Sequence, residues 1–135
     1  MASRTLRQVL TIAGSDSGGG AGIQADIKSM SANGVFAMSV ITAVTAQNTE
    51  DVTDVFELPT SIIASQLDAV FDDFDVAAVK TGMLSSTAVV ELVAKMLAIQ
   101  KVANLVVDPV MISKSGHALL TPDAIDALKK LLFPL

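Results

Sequence analysis

Three observations predict an α/β fold with a mostly parallel central sheet. Strand-like and helix-like segments alternate along the chain. Alanine, valine, isoleucine and leucine dominate a chain that is 51% hydrophobic, 17% charged and without Trp or Tyr; that composition suits strands buried on both faces beneath helices. The first strand-like run, Val9 to Ile12, passes into a helical pattern through a junction from Ala13 to Asp26 that is dense in glycine. Junctions of this kind bring backbone N–H groups to a ligand at a helix N-terminus.

The elements follow in order. Ile23, Ile27 and Met30 share one helical face, and Asn33-Gly34 supplies a left-handed stop. Phe36 to Val44 reads as a buried strand, and Val52 to Glu57 as a short strand after a polar loop. Ile63, Leu67, Val70, Phe71 and Phe74 recur at helical spacing behind Thr60 or Ser61 as N-cap. Ala77 to Thr81 is a strand, and Ser85 or Ser86 caps a helix whose apolar face is Val89, Leu92, Val93, Met96 and Leu97. Leu105 to Val107 is a further strand, ended by Asp108-Pro109 because proline cannot continue a ladder. Thr121-Pro122-Asp123 provides an N-cap, a proline at the first helical position and an early acid before Ile125, Leu128 and Leu132.

The 135 residues suffice for one domain with a sizeable core. A formal charge of −5 argues against nucleic acid or an anionic membrane as the primary partner. The absence of cysteine excludes disulfides and thiolate zinc sites, and a cytoplasmic location is expected. The apolar run after Arg4 and Arg7 is interrupted by Gly14 and Asp16 too soon for a signal peptide. The chain closes on an apolar tail, Leu131 to Leu135, with no strand after the last helix. The expectation is a larger domain cut midway, with Leu128, Leu131, Leu132 and Phe133 left uncovered.

The glycine-rich junction admits rival readings. Gly20-Ala21-Gly22-Ile23-Gln24-Ala25 fits a loose dinucleotide-binding pattern, but that pattern needs a ribose-binding acid about 20 positions on, and none lies between Val35 and Thr49. No Gly-Lys-Ser/Thr follows the glycines, so the phosphate loop of nucleoside triphosphatases is excluded. Asp16 would repel a pyrophosphate and instead accept a hydrogen bond from a substrate hydroxyl, which favours a small polar ligand. A tight corner without a ligand is the plain alternative.

In open α/β sheets, ligands bind at the carboxyl ends of the strands. Four polar stretches stand there: Gly14 to Asp16, Thr45 to Asn48, Lys80 to Met83, and Asp108 to Val110. Gln47 offers an acceptor beside donors, which matches a ring nitrogen next to an exocyclic amino group, or it is an ordinary loop amide. Met83 suits a soft wall against a flat heterocycle, or simple packing. Asp108 suits magnesium-bound water or phosphate, or caps the next turn. Lys80 balances a phosphate or snorkels. His117 is the sole histidine and supports no catalytic triad or metal cluster.

Taken in order, Ala13-Gly14-Ser15-Asp16 with the glycine run to Asp26, Val40 to Ala43 leading to Ala46-Gln47-Asn48-Thr49, Lys80-Thr81-Gly82-Met83-Leu84, and Val107 to Met111 with Lys114-Ser115-Gly116 resemble the hydroxymethylpyrimidine and phosphomethylpyrimidine kinases of thiamine biosynthesis, within the ribokinase superfamily. The resemblance covers nearly the whole chain. It implies a ribokinase-like three-layer α/β/α fold, with residues 1–135 as the N-terminal substrate-binding part of one domain. ATP and Mg2+ are implied as cofactors, an aminopyrimidine as substrate, and a homo-oligomer as the complete enzyme. It further implies that Gln47 reads the aminopyrimidine, that Gly14, Asp16, Ala21, Thr45, Met83 and Val110 line the pocket, and that Asp108 lies near magnesium and phosphates. Family members continue into an Asn-x-x-Glu stretch and a Gly-Thr-Gly-Cys-like anion hole carrying the catalytic residue. Neither occurs here, so no catalytic residue and no direct metal ligand is expected within 1–135. A pyridoxal kinase-type activity and a non-catalytic pyrimidine-binding fragment are the alternatives.

Overall fold

A computed structural model describes residues 5–112, 116 and 118–135. Arg4, Lys114, Ser115 and His117, named above, lie outside the described residues. The element order is β1 (Gln8–Asp16), α1 (Gly22–Ala32), β2 (Phe36–Gln47), β3 (Val52–Glu57), α2 (Thr60–Asp73), β4 (Val76–Thr81), α3 (Thr87–Gln100), β5 (Leu105–Val107) and α4 (Pro122–Ala127), which runs on as a π-helical turn over Leu128–Leu132. The five strands form one sheet in the order β3-β2-β1-β4-β5. β1 pairs in parallel with β2 and β4, β4 pairs in parallel with β5, and β3 alone runs antiparallel.

Side chains alternate between the faces of a strand, and this alternation sorts the layers. Leu10, Ile12, Val40 and Val79 join Ile63 and Leu67 of α2, Val89, Val93 and Leu97 of α3, and Ala124 of α4 in one continuous core. Thr11 and Lys80 sit between those apolar positions and meet Asp26 of α1 on the opposite face. The predicted three-layer α/β/α arrangement is therefore the observed one. Among the described residues, no helix is long and apolar enough to cross a membrane.

The local signals act where the sequence places them, with some exceptions. Ser86 caps α3 by accepting the Val89 N–H, and Thr121 caps α4 by accepting the Ala124 N–H. Gly34 follows α1 with φ +77°. For α2, however, Pro59 occupies the N-cap position without a side-chain bond, and Thr60 is already helical. β1 and β2 both extend past their apolar runs, β1 to Asp16 because its pairing with β2 continues to Asp16↔Thr45, and β2 to Gln47 because its pairing with β3 continues to Gln47↔Val52. Of the four residues expected to stand uncovered at the end, Leu128 and Leu132 are buried in the main core, whereas Leu131 and Phe133 are exposed.

The antiparallel β3 pairs only with Ala43 to Gln47, which leaves the first half of β2 at an open edge. Gln66 of α2 fills part of that gap. Its side-chain Oε1 accepts the Ile41 N–H at 2.9 Å and its Nε2 donates to the Ile41 carbonyl at 3.0 Å. An amide has the same donor and acceptor pair as a peptide group, so it satisfies the backbone as a neighbouring strand would.

Candidate active site

The carboxyl ends of β1, β2, β4 and β5 converge on a cavity of about 550 Å³. Every residue that the resemblance implies for the pocket and its phosphate side lines it: Gly14, Asp16, Ala21, Thr45, Gln47, Met83, Asp108 and Val110. Their spacing in sequence reaches from 14 to 110, and the parallel topology alone brings them together.

The glycine loop is organised by Asp16. Rather than standing free in a loop, this residue ends β1 and is 5% exposed. Its Oδ1 accepts the Gly18 N–H at 2.7 Å, and its Oδ2 accepts the N–H groups of Gly20 at 2.9 Å and Ala21 at 2.8 Å. The carboxylate thus folds the loop around itself and keeps one lone pair on Oδ1 for other use. Gln24 of α1 braces the same corner, accepting the Asp16 N–H at 2.8 Å and donating to the Ser15 hydroxyl at 2.7 Å.

Two glycines allow this close approach. A Cβ on Gly14 would stand 2.6 Å from the Met83 Cε, so the missing side chain lets the buried Met83 lie across the end of β1. Gly22 begins α1 with φ +56°, and a Cβ there would stand 2.3 Å from the Gly14 carbonyl oxygen.

Gln47, half-buried, ends β2 where the register with β3 shifts between Ala46 and Gln47. Such irregularities re-aim a side chain. The Thr45 hydroxyl lies 2.9 Å from the Ser15 carbonyl oxygen and 3.2 Å from Gln47 Oε1. Asn48 closes the β2–β3 turn by accepting the N–H groups of Glu50 and Asp51, and this turn walls one side of the cavity.

The floor carries an ion pair. Lys80 Nζ lies 2.9 Å from Asp26 Oδ2 and 3.6 Å from Asp108 Oδ2, and Thr11 donates to Asp26 at 2.6 Å. The Lys80 and Asp26 side chains are only 20% and 16% exposed, whereas Asp108 is 53% exposed and opens onto the cavity. Sequence reasoning did not single out Asp26 for a role. The available signal was its place on α1 between Ile23 and Ile27, a charge on the inward face of a helix. A double-mutant cycle with Asp26→Asn and Lys80→Met is expected to give a coupling of roughly 1–3 kcal/mol by urea denaturation. A coupling near zero would show that each group is solvated independently.

The family model described as phosphomethylpyrimidine kinase matches residues 16–135. The hydroxymethylpyrimidine/phosphomethylpyrimidine kinase of Haemophilus influenzae is 54% identical over 130 residues, covering 96% of this chain and 48% of that protein.

The chain belongs to the phosphomethylpyrimidine kinase family.

The crystal structure of phosphomethylpyrimidine kinase from Clostridium difficile superposes with a TM-score of 0.89 at 54% identity, covering 95% of this chain and 55% of that one. An ADP complex of Bacillus subtilis pyridoxal kinase superposes with a TM-score of 0.86 at 39% identity, covering 96% of this chain and 49% of that one. The chain spans about half the length of the curated phosphomethylpyrimidine kinases it matches. The glycine loop shaped by Asp16, the Thr45 to Gln47 strand end and the Lys80–Asp26 pair therefore line a cavity in a member of this family.

Proposed function

We propose that this chain forms the substrate cavity of an ATP-dependent kinase that phosphorylates the hydroxymethyl group of an aminopyrimidine, and then the resulting monophosphate, in thiamine biosynthesis. The observation that carries the reading is Gln47: an amide at the cavity wall whose NH2 group has no partner among the described residues. An unpaired primary amide beside the apolar Met83 and Val110 suits a flat heterocycle with a ring nitrogen next to an amino group. In this reading Gly14, Ala21 and Thr45 complete the walls, and the remaining lone pair of Asp16 accepts the substrate hydroxyl.

The charge of the cavity bears on the phosphate donor. Five carboxylates line it (Asp16, Asp26, Glu50, Asp51 and Asp108) against the single ammonium of Lys80 among the described residues. Such a lining repels polyphosphate unless a cation accompanies it. Among the described residues, no cluster of three metal-ligating side chains is present. Mg2+ keeps several waters and is held through one or two carboxylates plus the nucleotide phosphates; in this reading Asp108, exposed just after β5, would supply one of them. The metal would supply neutralisation of the charge that develops on the transferred phosphoryl group. The residues of this chain bind and orient the pyrimidine; removal of the hydroxyl proton is proposed to fall to residues in the remaining half of the relatives' length.

Gln47→Ala is expected to weaken affinity for 4-amino-5-hydroxymethyl-2-methylpyrimidine by roughly 1–3 kcal/mol, because the ligand's buried polar edge loses its partner. ATP affinity should stay as it was. Calorimetry with the pyrimidine, pyridoxal and ATP separates the readings: unchanged pyrimidine affinity removes Gln47 from recognition, and tighter binding of pyridoxal than of the pyrimidine reassigns the substrate.

A further inference from the structure

Gln47 is the last residue of β2, and β1 makes its final pairing two residues earlier on that strand, at Asp16↔Thr45. On that side the backbone N–H and C=O of Gln47 have no strand to meet. Ser17, the first residue of the glycine loop, takes both. Its hydroxyl donates to the Gln47 carbonyl at 2.6 Å and accepts the Gln47 N–H at 2.8 Å. A hydroxyl has one hydrogen to give and lone pairs to receive, so the two bonds form together and fix its orientation. The next residue, Gly18, has no Cβ; one would stand 3.3 Å from the Gln47 carbonyl oxygen and from the Asn48 Cα. Loop and strand end are therefore in direct contact.

Ser17 itself is exposed and does not line the cavity, whereas its neighbours Asp16 and Gly18 do. We propose that Ser17 is a positioning residue for Gln47: it acts as a one-residue extension of β1 that pins the peptide from which the pyrimidine-reading amide projects. A strand end held on one side only, at a register shift, leaves the Cα–Cβ direction of its last residue free to wander, and a recognition group out of place by a fraction of an ångström forfeits its hydrogen bonds. The latch also joins the glycine loop to the reading residue, so that a loop displaced by an ill-fitting ligand withdraws support from Gln47.

The inference rests on the reading of Gln47 given under the proposed function, and the test separates the two. Dissociation constants for the aminopyrimidine, and for an analogue lacking the exocyclic amino group, are measured by calorimetry on the protein and on Ser17→Ala, Ser17→Thr, Gln47→Ala and the Ser17→Ala/Gln47→Ala pair. Ser17→Ala should weaken the aminopyrimidine about tenfold, weaken the analogue distinctly less, and be rescued by Ser17→Thr. In the Gln47→Ala background Ser17→Ala should have no further effect, because there is no amide left to place. An effect of Ser17→Ala that adds in full to that of Gln47→Ala, or that is equal for both ligands, would make Ser17 a general loop support and overturn the proposal. If Gln47→Ala alone leaves the aminopyrimidine unaffected, the reading of Gln47 fails first and the role of Ser17 falls with it. Thermal melts of each variant keep loss of folding distinct from loss of affinity.

Discussion

Gly22→Ala is expected to lower the free energy of unfolding by about 3 kcal/mol or more, the combined effect of a left-handed backbone and a collision with backbone atoms. The φ of +56° is one component. The larger one is the Gly14 carbonyl oxygen, 2.3 Å from where the new Cβ would lie. That oxygen belongs to β1, whose residues on either side of Gly14, Ala13 and Ser15, are paired with β2 and limit how far it can retreat. Gly34→Ala provides the control: its φ is +77°, yet nothing stands within 4 Å of an added Cβ, so about 1 kcal/mol is expected there. Urea denaturation of both variants measures the difference. Equal losses would mean that the contact with Gly14 relaxes freely.

Removing the carboxylate at position 16 comes next in size. Asp16→Ala strips the Gly18, Gly20 and Ala21 N–H groups of their acceptor at once. With charge-assisted bonds to a buried acceptor, a loss of about 3 kcal/mol is expected. Affinity should fall for pyrimidines with and without the hydroxymethyl group, because the loop that walls the cavity loses its shape, and further for the hydroxyl-bearing one, which also loses its acceptor. Asp16→Asn, with one acceptor oxygen left, should lie between. An effect confined to the hydroxyl-bearing ligand would show that the remaining lone pair of Asp16, and not the loop it folds, dominates binding.

The contrast between Asp16 as read from sequence and as folded shows where sequence reasoning reaches its limit. Local signals were sufficient for the elements: the caps at Ser86 and Thr121, the stop at Gly34 and the short outer strand from Val52 to Glu57 all depend on neighbours a few residues away. The rule that ligands gather at strand ends was enough to collect the residues of one cavity. What escaped depends on partners distant in sequence. Asp26 finds Lys80 across 54 positions, and Ser17 finds the Gln47 backbone across 30. Asp16 carries no mark that its charge is turned inward on its own loop. Pro59 took the cap of α2 because the chain leaves β3 in extended form, a constraint of the tertiary path and not of side-chain preference.

The strand order β3-β2-β1-β4-β5 has a consequence for how the molecule is made. Of these five strands the ribosome releases β1 before the others, and it becomes the middle one. β2 then docks on one flank and β3 outside it; β4 docks on the other flank and β5 outside that. Each strand that emerges meets a vacant flank, and none has to be threaded between two that are already joined. Growth of this kind lets the nascent chain bury apolar surface in the order in which it is synthesised, and shortens the time for which an unpaired strand is exposed to other nascent chains.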